Sequence, residues 1–594
     1  MKNEAFLVPN PATPCQPIRI NPELCVACYR CCDQCRTDVM IRNRVDPSGL
    51  SRCEASCPAG ENIRWTTYYI DRGRFEDALA SIKTENPFPG VCGRVCFHPC
   101  EDRCARIDLD AAVATNALER AAFDYADHKA VRPPEKRPAT GKKVAVVGSG
   151  PAGLTAAYFL AILGHKVTVF EAKPVAGGIP RVHIPEYRLP AAVVEREVQE
   201  VGALGVEIKV NSPVDAAAFA RLVKEYDAVF AATGAPLSAR LNVPGEDTPG
   251  VVSALEFLSG ARLGKGVKVG KRTVIIGGGN VATDSARLAR RLGAEEVTMV
   301  CLESRDTMPA YRSEVQAAEA EGITMLPGWG VQQINVKNGK VTGVALKVCT
   351  STLDKDGRFS PCYDDGVTQT IAADTIIAAI GQATDLSFAD SRMKAGSRLS
   401  VNPDTLATPV NGVFAGGDAS SAIRSIAQAI GSAKRAAIAI DLFLKGGDMG
   451  VLAAKGTVSM RSYLTSGSPV PVSREPEEVE TAYYGPGSRR EPAALPVGER
   501  TKTLAEVNKG LARDEAVAEA KRCFRCSQYL PPLVLYPDEC WFCGTCVEEC
   551  PVPGAIRMEQ PLNQKVGWKR KETGELMRVG MKDPPPPYTR PPVG

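Results

Sequence analysis

The sequence predicts an α/β chain in which two nucleotide-binding βαβ units sit between two cysteine-rich ends. Three observations predict it. A strand, a glycine turn, a helix and a second strand follow one another from Lys142, and again from Arg272. The 21 cysteines avoid this middle region: twelve lie between Cys15 and Cys104, six between Cys523 and Cys550, and Cys301, Cys349 and Cys362 lie between. The 594 residues allow three or four domains, at about 150 residues each.

Composition narrows the function classes. Hydrophobic content of 44% and charged content of 24% are ordinary for a soluble globular chain. A net charge of +4 without a basic block argues against nucleic-acid binding. No apolar run reaches the roughly 18 residues needed to cross a bilayer. The start, MKNEAFLVPNPATP, has neither a charged n-region nor an apolar core, so no signal peptide is expected. The expected location is cytoplasmic. Thiols are kept reduced there, so dense cysteine points to metal rather than disulfides.

The first element is NPELCVACYRCCDQCRTDVM. Cys25, Cys28, Cys31 and Cys35 have the ferredoxin spacing, with Arg36 where proline usually follows and Cys32 as an extra thiol. Next come Cys53-x-x-x-Cys57-Pro58 and, after an amphipathic stretch expected to be helical (IRWTTYYIDRGRFEDALASIK), Cys92, Cys96, Cys100 and Cys104 at four-residue intervals. The proline-rich run from 129 to 142 reads as a linker.

The first βαβ unit reads KKVAVVGSGPAGLTAAYFLAILGHKVTVFE. Gly148, Gly150 and Gly153, with Pro151 and Ala152 between, allow a tight turn and bring a pyrophosphate to the helix N-terminus. Glu171 ends the second strand, where an acid accepts hydrogen bonds from a ribose. The second unit repeats this with Gly277, Gly279, Asn280 and Ala282, and Glu303 ends its second strand. A later Gly416-Gly417-Asp418 turn precedes a helix of small residues, which suits an acid facing a flavin's ribityl or phosphate region. The isolated middle cysteines form no redox-active C-x-x-C, so electrons need another exit than a thioredoxin-reductase-like thiol pair.

Residues 464 to 500 read as an extended connector. After it come Cys523-x-x-Cys526 in EAKRCFRC, then Cys540, Cys543, Cys546 and Cys550 with Pro551 in the ferredoxin place. Zinc sites normally pair two knuckles a dozen or more residues apart, so four cysteines this tightly grouped favour [4Fe–4S]. The tail MKDPPPPYTRPPVG is polyproline-like and cannot pack a core.

These segments resemble the small-subunit family of glutamate synthase, a group of NAD(P)H-dependent iron–sulfur flavoproteins. CPAGENI, NPFPGVCGRVCFHPCEDRC, IPEYRLP, ATGAPLSARLNVPGED, MPA and FAGGD carry the resemblance, with both βαβ units, over roughly residues 53 to 526. It implies two Rossmann-like domains of the glutathione-reductase type. FAD would lie at the first βαβ and at Asp418, with a nicotinamide nucleotide at the second. Further cofactor contacts are implied at Gly178, Gly234, Gly381 and Gly417. It also implies two [4Fe–4S] clusters in a helical N-terminal domain. Members usually carry an extra C-x-x-C before the Cys-x-x-x-Cys-Pro. Here that phrase is absent before Cys53 and stands instead at Cys523 and Cys526. The expected sets are therefore Cys53, Cys104, Cys523 and Cys526 for one cluster, and Cys57, Cys92, Cys96 and Cys100 for the other. The outer motifs could share clusters across the chain, Cys25, Cys28 and Cys31 with Cys550, and Cys35 with Cys540, Cys543 and Cys546. Alternatively each motif binds its own. Sixteen cysteines give about four clusters.

The family's arginines after the second βαβ, which suit a 2′-phosphate, are replaced here by Cys301-Leu302-Glu303-Ser304-Arg305. An acid there favours a free 2′-hydroxyl, so NAD(H) is expected over NADP(H), with Arg305 the residue that could still hold a phosphate. The expected domains are 1–50 (ferredoxin-like), 51–130 (helical iron–sulfur), 141–260 with 385–448 (FAD), 261–384 (NAD(H)), 449–515 (linker), 516–560 (iron–sulfur) and 561–594 (tail). The expected function is an NADH (NAD+):acceptor oxidoreductase subunit that exchanges electrons with a partner oxidoreductase subunit or a ferredoxin. The partner could be a 2-oxoacid, aldehyde or sulfite oxidoreductase. The rivals are an NADPH-dependent glutamate synthase small subunit and a non-enzymatic electron relay with vestigial nucleotide sites.

Overall fold

The computed structural model describes residues 51–131, 134–453, 456–467, 486–524 and 526, and the backbone of short strands at 18–20, 40–41, 533–534, 556–558, 567–570 and 576–579. The Pro-rich tail from 581 and the cysteines of both outer motifs lie outside these residues.

The N-terminal domain is helical. The expected amphipathic stretch forms two helices rather than one, Ile63–Asp71 and Phe75–Lys83. Gly73 breaks them, at φ +67°, a left-handed conformation that costs glycine little. Phe75, Ala78, Leu79 and Ile82 recur at helical spacing and are fully buried. They belong to one apolar core with Leu118 and Ala122 of the helix Thr115–Tyr125.

The first nucleotide unit is a five-stranded parallel sheet in the order Val413–Ala415, Ala228–Ala231, Lys143–Val147, Lys166–Phe170, Glu207–Lys209. The helix Pro151–Ile162 follows its glycine turn and is apolar all round because the helix Ile426–Lys445 covers it. The second unit interrupts the first. Its order is Thr324–Pro327, Glu296–Cys301, Arg272–Ile276, Thr375–Ala378, Val251–Ser253, again parallel. A three-stranded antiparallel sheet, Trp329–Lys337, Lys340–Leu353 and Phe359–Ala372, is built onto it.

Two expected boundaries need correction. The second unit begins before 261: Val251–Ser253 is its edge strand and the helix Ala254–Arg262 buries Phe257 and Leu258 in its core. A three-residue strand carries too little periodicity to be read from sequence. The span 449–515 is also more than a linker. Arg489 pairs with Glu101 at 2.7 Å, Ala493–Ala494 pairs with Asn508–Gly510, and the helix Arg513–Ala520 packs on Ile63–Asp71.

The N-terminal domain is fastened to the first unit by buried charge. Lys434 Nζ, on the helix Ile426–Lys445, donates to Glu85 at 2.6 Å and to the carbonyl of Ala59 at 2.5 Å. Glu85 also accepts from Met460 N at 2.9 Å and Ser459 Oγ at 2.6 Å, which fully engages this buried pair. The chain ends also meet. Ile18–Ile20, just before Cys25, pairs antiparallel with Ile556–Met558, just after Cys550. Met40–Ile41, just after Cys35, pairs antiparallel with Leu533–Val534, just before Cys540. Among the described residues no helix is long and apolar enough to cross a membrane.

Candidate cofactor sites

One cavity of about 1330 Å³ runs between the two nucleotide units. Both glycine turns open onto it, and so does Cys96 of the helical domain. At the first turn Gly148 has φ +100°, and a Cβ there would lie 2.5 Å from the carbonyl oxygen of Ala232. Gly277 repeats this at the second turn, with φ +137° and 2.3 Å to the carbonyl of Ala379. Gly150 and Gly279 are the N-cap residues of the two following helices, and a Cβ on either would meet nothing within 4 Å. Each helix N-terminus therefore faces open space, which suits a pyrophosphate.

The acids that end the two second strands differ. Glu171 is buried and accepts from Ser149 N at 2.9 Å, Ser149 Oγ at 2.6 Å and Lys173 N at 2.7 Å. Three of its roughly four acceptor positions are occupied within the protein, leaving one for a ribose. Glu303 Oε2 lies 2.9 Å from where a Cβ on Gly278 would stand, so its carboxylate hangs over the second turn. Arg305 turns to Glu319 instead, with Nε at 3.1 Å and Nη2 at 2.8 Å from its carboxylate.

The first turn's end of the cavity fits a flavin nucleotide. Gly178, Gly234, Gly381, Gly417 and Asp418 all line it. Burial raises the Asp418 carboxyl and nearby Arg424 opposes the rise. Two buried polar atoms in the lining have no protein partner among the described residues, His183 Nδ1 and Thr233 Oγ1. Burial, with Lys173 nearby, holds His183 down at about 4, so it is a neutral imidazole with a free nitrogen. An unpaired buried polar atom is costly, and a bound flavin would bring heteroatoms into the space these two border. Sequence reasoning missed these two. His183 in IPRVHIPEYRLP was the available signal.

Four cysteines line a second, small cavity: Cys53, Cys104, Cys523 and Cys526. Burial raises Cys53, Cys104 and Cys526, and the neighbouring thiols of the same set add to each rise. The second set, Cys57, Cys92, Cys96 and Cys100, adjoins the first, since beyond burial Cys57, Cys53 and Cys96 each raise the Cys100 thiol. Burial pushes Cys57 to about 12 and Cys96 to about 11, with Glu61 and Cys96 adding at Cys57, and Glu61 and Glu101 at Cys96. Cys92 and Cys100 are raised by burial, Glu119 contributing next at Cys92 and Cys57 at Cys100. Such thiols ionise readily only against a cation, which bound iron supplies. All described cysteines are free thiols. Among the described residues no three donors close on a single-ion site.

Arginines that sequence reasoning missed hold the C-terminal pair in place. Arg64 Nη1 donates to the Cys526 carbonyl at 2.7 Å and pairs with Glu54. Arg106 donates to the Arg522 carbonyl at 2.8 Å, and its guanidinium sits 4.8 Å from the centroid of the Phe524 ring. Arg522 in turn reaches Glu519 at 2.6 Å and Asp110 at 2.9 Å. The helical domain also touches the second nucleotide unit. Phe97, between Cys96 and Cys100, stacks on Tyr311 with ring centroids 4.1 Å apart.

Comparison with known proteins agrees with this anatomy. Residues 142–434 match the pyridine nucleotide-disulphide oxidoreductase family. Residues 43–131 match dihydropyrimidine dehydrogenase domain II, 4Fe-4S cluster, and residues 533–553 match a 4Fe-4S binding domain. The chain is 38% identical to the NADP(+)-dependent formate dehydrogenase subunit beta of Moorella thermoacetica, over 81% of this chain and 71% of that one. It is 35% identical to the NADPH-Fe(3+) oxidoreductase subunit beta of Geobacter sulfurreducens, over 80% and 75%. It is 32% identical to the glutamate synthase [NADPH] small chain of Azospirillum brasilense, over 68% and 88%.

Proposed function

The chain belongs to the glutamate synthase small-chain-like family of NAD(P)H-dependent iron–sulfur flavoprotein oxidoreductase subunits, and from that premise we propose that it is an NADH (NAD+):acceptor oxidoreductase subunit. It passes electrons between the nicotinamide nucleotide, FAD and about four [4Fe–4S] clusters, to or from a partner oxidoreductase subunit or a ferredoxin. The observation that carries this reading is the shared cavity: both glycine turns and Cys96 border the same 1330 Å³ space. Groups held at either turn would face the same space as Cys96.

FAD, when bound, supplies two-electron chemistry toward the nicotinamide and one-electron chemistry toward the clusters. The protein's part is to hold and orient. The N-terminus of the helix Pro151–Ile162 would hold the flavin pyrophosphate, and Glu171 and Asp418 would hold its sugar and ribityl groups. His183 and Thr233 would offer polar atoms to the bound flavin. The N-terminus of the helix Asn280–Arg291 would hold the dinucleotide phosphates.

NADH is the proposed nucleotide because Glu303 overhangs the second turn and Arg305 is tied to Glu319. The names of the relatives favour NADPH, and that is the second reading. Cys53, Cys104, Cys523 and Cys526 hold one cluster, and Cys57, Cys92, Cys96 and Cys100 another. The two antiparallel strand pairings between the chain ends support a single ferredoxin-like unit built from both outer motifs. In it Cys25, Cys28, Cys31 and Cys550 share one cluster and Cys35, Cys540, Cys543 and Cys546 the other, the exchange of a fourth ligand known from two-cluster ferredoxins.

Anaerobic rapid mixing tests the proposal. NADH should bleach the flavin and then the clusters, with kcat/KM at least roughly tenfold above that for NADPH, about 1.4 kcal/mol of discrimination. Preference for NADPH would overturn the nucleotide assignment. Flavin bleaching without any cluster reduction would overturn the electron path.

A further inference from the structure

We propose that the hairpin formed by Lys340–Leu353 and Phe359–Ala372 is an adenine clamp for the dinucleotide bound at the second glycine turn. The proposal rests on the reading that this turn holds NAD(H). Alternate residues of a strand share a face, and Phe359, Pro361 and Tyr363 all border the cofactor cavity. The first strand of the hairpin is linked through Gly328 to the backbone of Glu303. Gly328 N donates to the Glu303 carbonyl at 2.8 Å, and Cys349 N donates to the Gly328 carbonyl at 2.8 Å.

Cys349 stands opposite Tyr363 in the strand register, so both strands are tied to the stretch that follows the turn's acid. A Cβ on Gly330 would lie 2.3 Å from the Tyr363 ring and 3.0 Å from Leu302, so Tyr363 is seated on the floor of this end of the cavity. Lys347 Nζ lies 4.2 Å from the ring centroid. Phe359, further along the same face, is 68% exposed.

A large aromatic held on the rim of a cavity, with its face free, wants a flat apolar partner. Glu303 fixes where the adenosine ribose goes. The base attached to that ribose then reaches the wall that Leu302 and Tyr363 form, and Phe359 closes over it. Base–aromatic stacking is tolerant of edge chemistry. The clamp therefore adds affinity for any adenosine dinucleotide and leaves the phosphate discrimination to Glu303.

The test compares NADH with reduced nicotinamide mononucleotide, which lacks the adenosine half, as reductants of the holoenzyme. Phe359→Ser removes an exposed side chain, and Val367→Ser, on the same strand, 48% exposed and outside the cavity lining, is the control. Phe359→Ser is expected to raise the KM for NADH roughly tenfold, the effect of one lost base–aromatic stack, with kcat unchanged. The mononucleotide KM should not move, and Val367→Ser should match the wild type. An equal change for both reductants, or for neither, overturns the clamp. Glu303→Arg serves as the separate control on the underlying reading. If it alters NADH kinetics while Phe359→Ser does not, the clamp fails and the dinucleotide site stands. If neither responds, the dinucleotide site fails as well.

Discussion

Arg64 donates from Nη1 to the carbonyl oxygen of Cys526 at 2.7 Å across 462 residues of sequence. The arginine is buried, its charge is paired with Glu54 at 2% and 3% side-chain exposure, and it cannot leave without breaking that pair. The C-terminal C-x-x-C is thus a fixed wall of the N-terminal cavity.

Arg64→Met should loosen that wall. A hydrogen bond from a charged donor contributes about 1.5–3 kcal/mol, so the segment 486–526 should open more often. Limited proteolysis reads this directly, because cleavage follows the open population. A cleavage rate in this segment roughly tenfold above wild type is expected. An unchanged rate would show that Arg64 does not hold the arm.

Glu303→Arg should turn nucleotide preference. The change removes an acid from above Gly278 and adds a cation where a 2′-phosphate would sit. The ratio of kcat/KM for NADH over NADPH should fall by roughly tenfold or more. A wild type that uses both nucleotides equally would sink the argument before the variant is made.

Gly431→Ala should separate the helical domain from the flavin domain. A Cβ at Gly431 would stand 2.0 Å from the carbonyl oxygen of Pro58, next to Cys57. Backbone cannot yield as a flexible side chain can, and overpacking costs about 1–3 kcal/mol. Thermal unfolding should begin several degrees earlier, with iron lost before flavin. An unchanged profile would mean the two backbones are not held this closely.

Glu197→Gln should change the pH dependence of stability. Glu197 is fully buried and accepts from Gly90 N at 2.5 Å and Val91 N at 3.3 Å. Burial raises its carboxyl from 4.5 to about 8. Between these values the folded chain keeps a proton that the unfolded chain releases. Its contribution is therefore fully present below 4.5 and is lost as pH rises through 8. The glutamine variant escapes that loss, by a few kcal/mol at the alkaline end. Melting curves from pH 5 to 9 should diverge in its favour as pH rises; parallel curves would contradict the assignment.

Much of this was legible in the sequence because the chemistry needs fixed spacings. The glycines of both turns stand where a pyrophosphate requires them. The family's C-x-x-C phrase, missing before Cys53 and standing at Cys523, pointed Cys523 and Cys526 back to Cys53 and Cys104, and these four line one cavity. The Glu303 reading came from a departure in one short phrase. Other features depend on contacts that no spacing encodes. The stack of Phe97 on Tyr311 joins two domains, and the arginines around the C-terminal arm act through backbone carbonyls that any residue could offer. The boundary near 251 was missed because its strand has three residues. Phe359, Pro361 and Tyr363 belong to no motif, so nothing in the sequence singles out the face they form.

Iron and acid-labile sulfide per FAD, in anaerobically purified wild type and in a Cys523→Ala, Cys526→Ala double variant, test the central claim most directly. About sixteen irons per flavin, from four clusters of four, and a loss of about four in the variant are the expected result. A variant that keeps the full wild-type iron content would contradict it, because the C-terminal pair would then complete nothing.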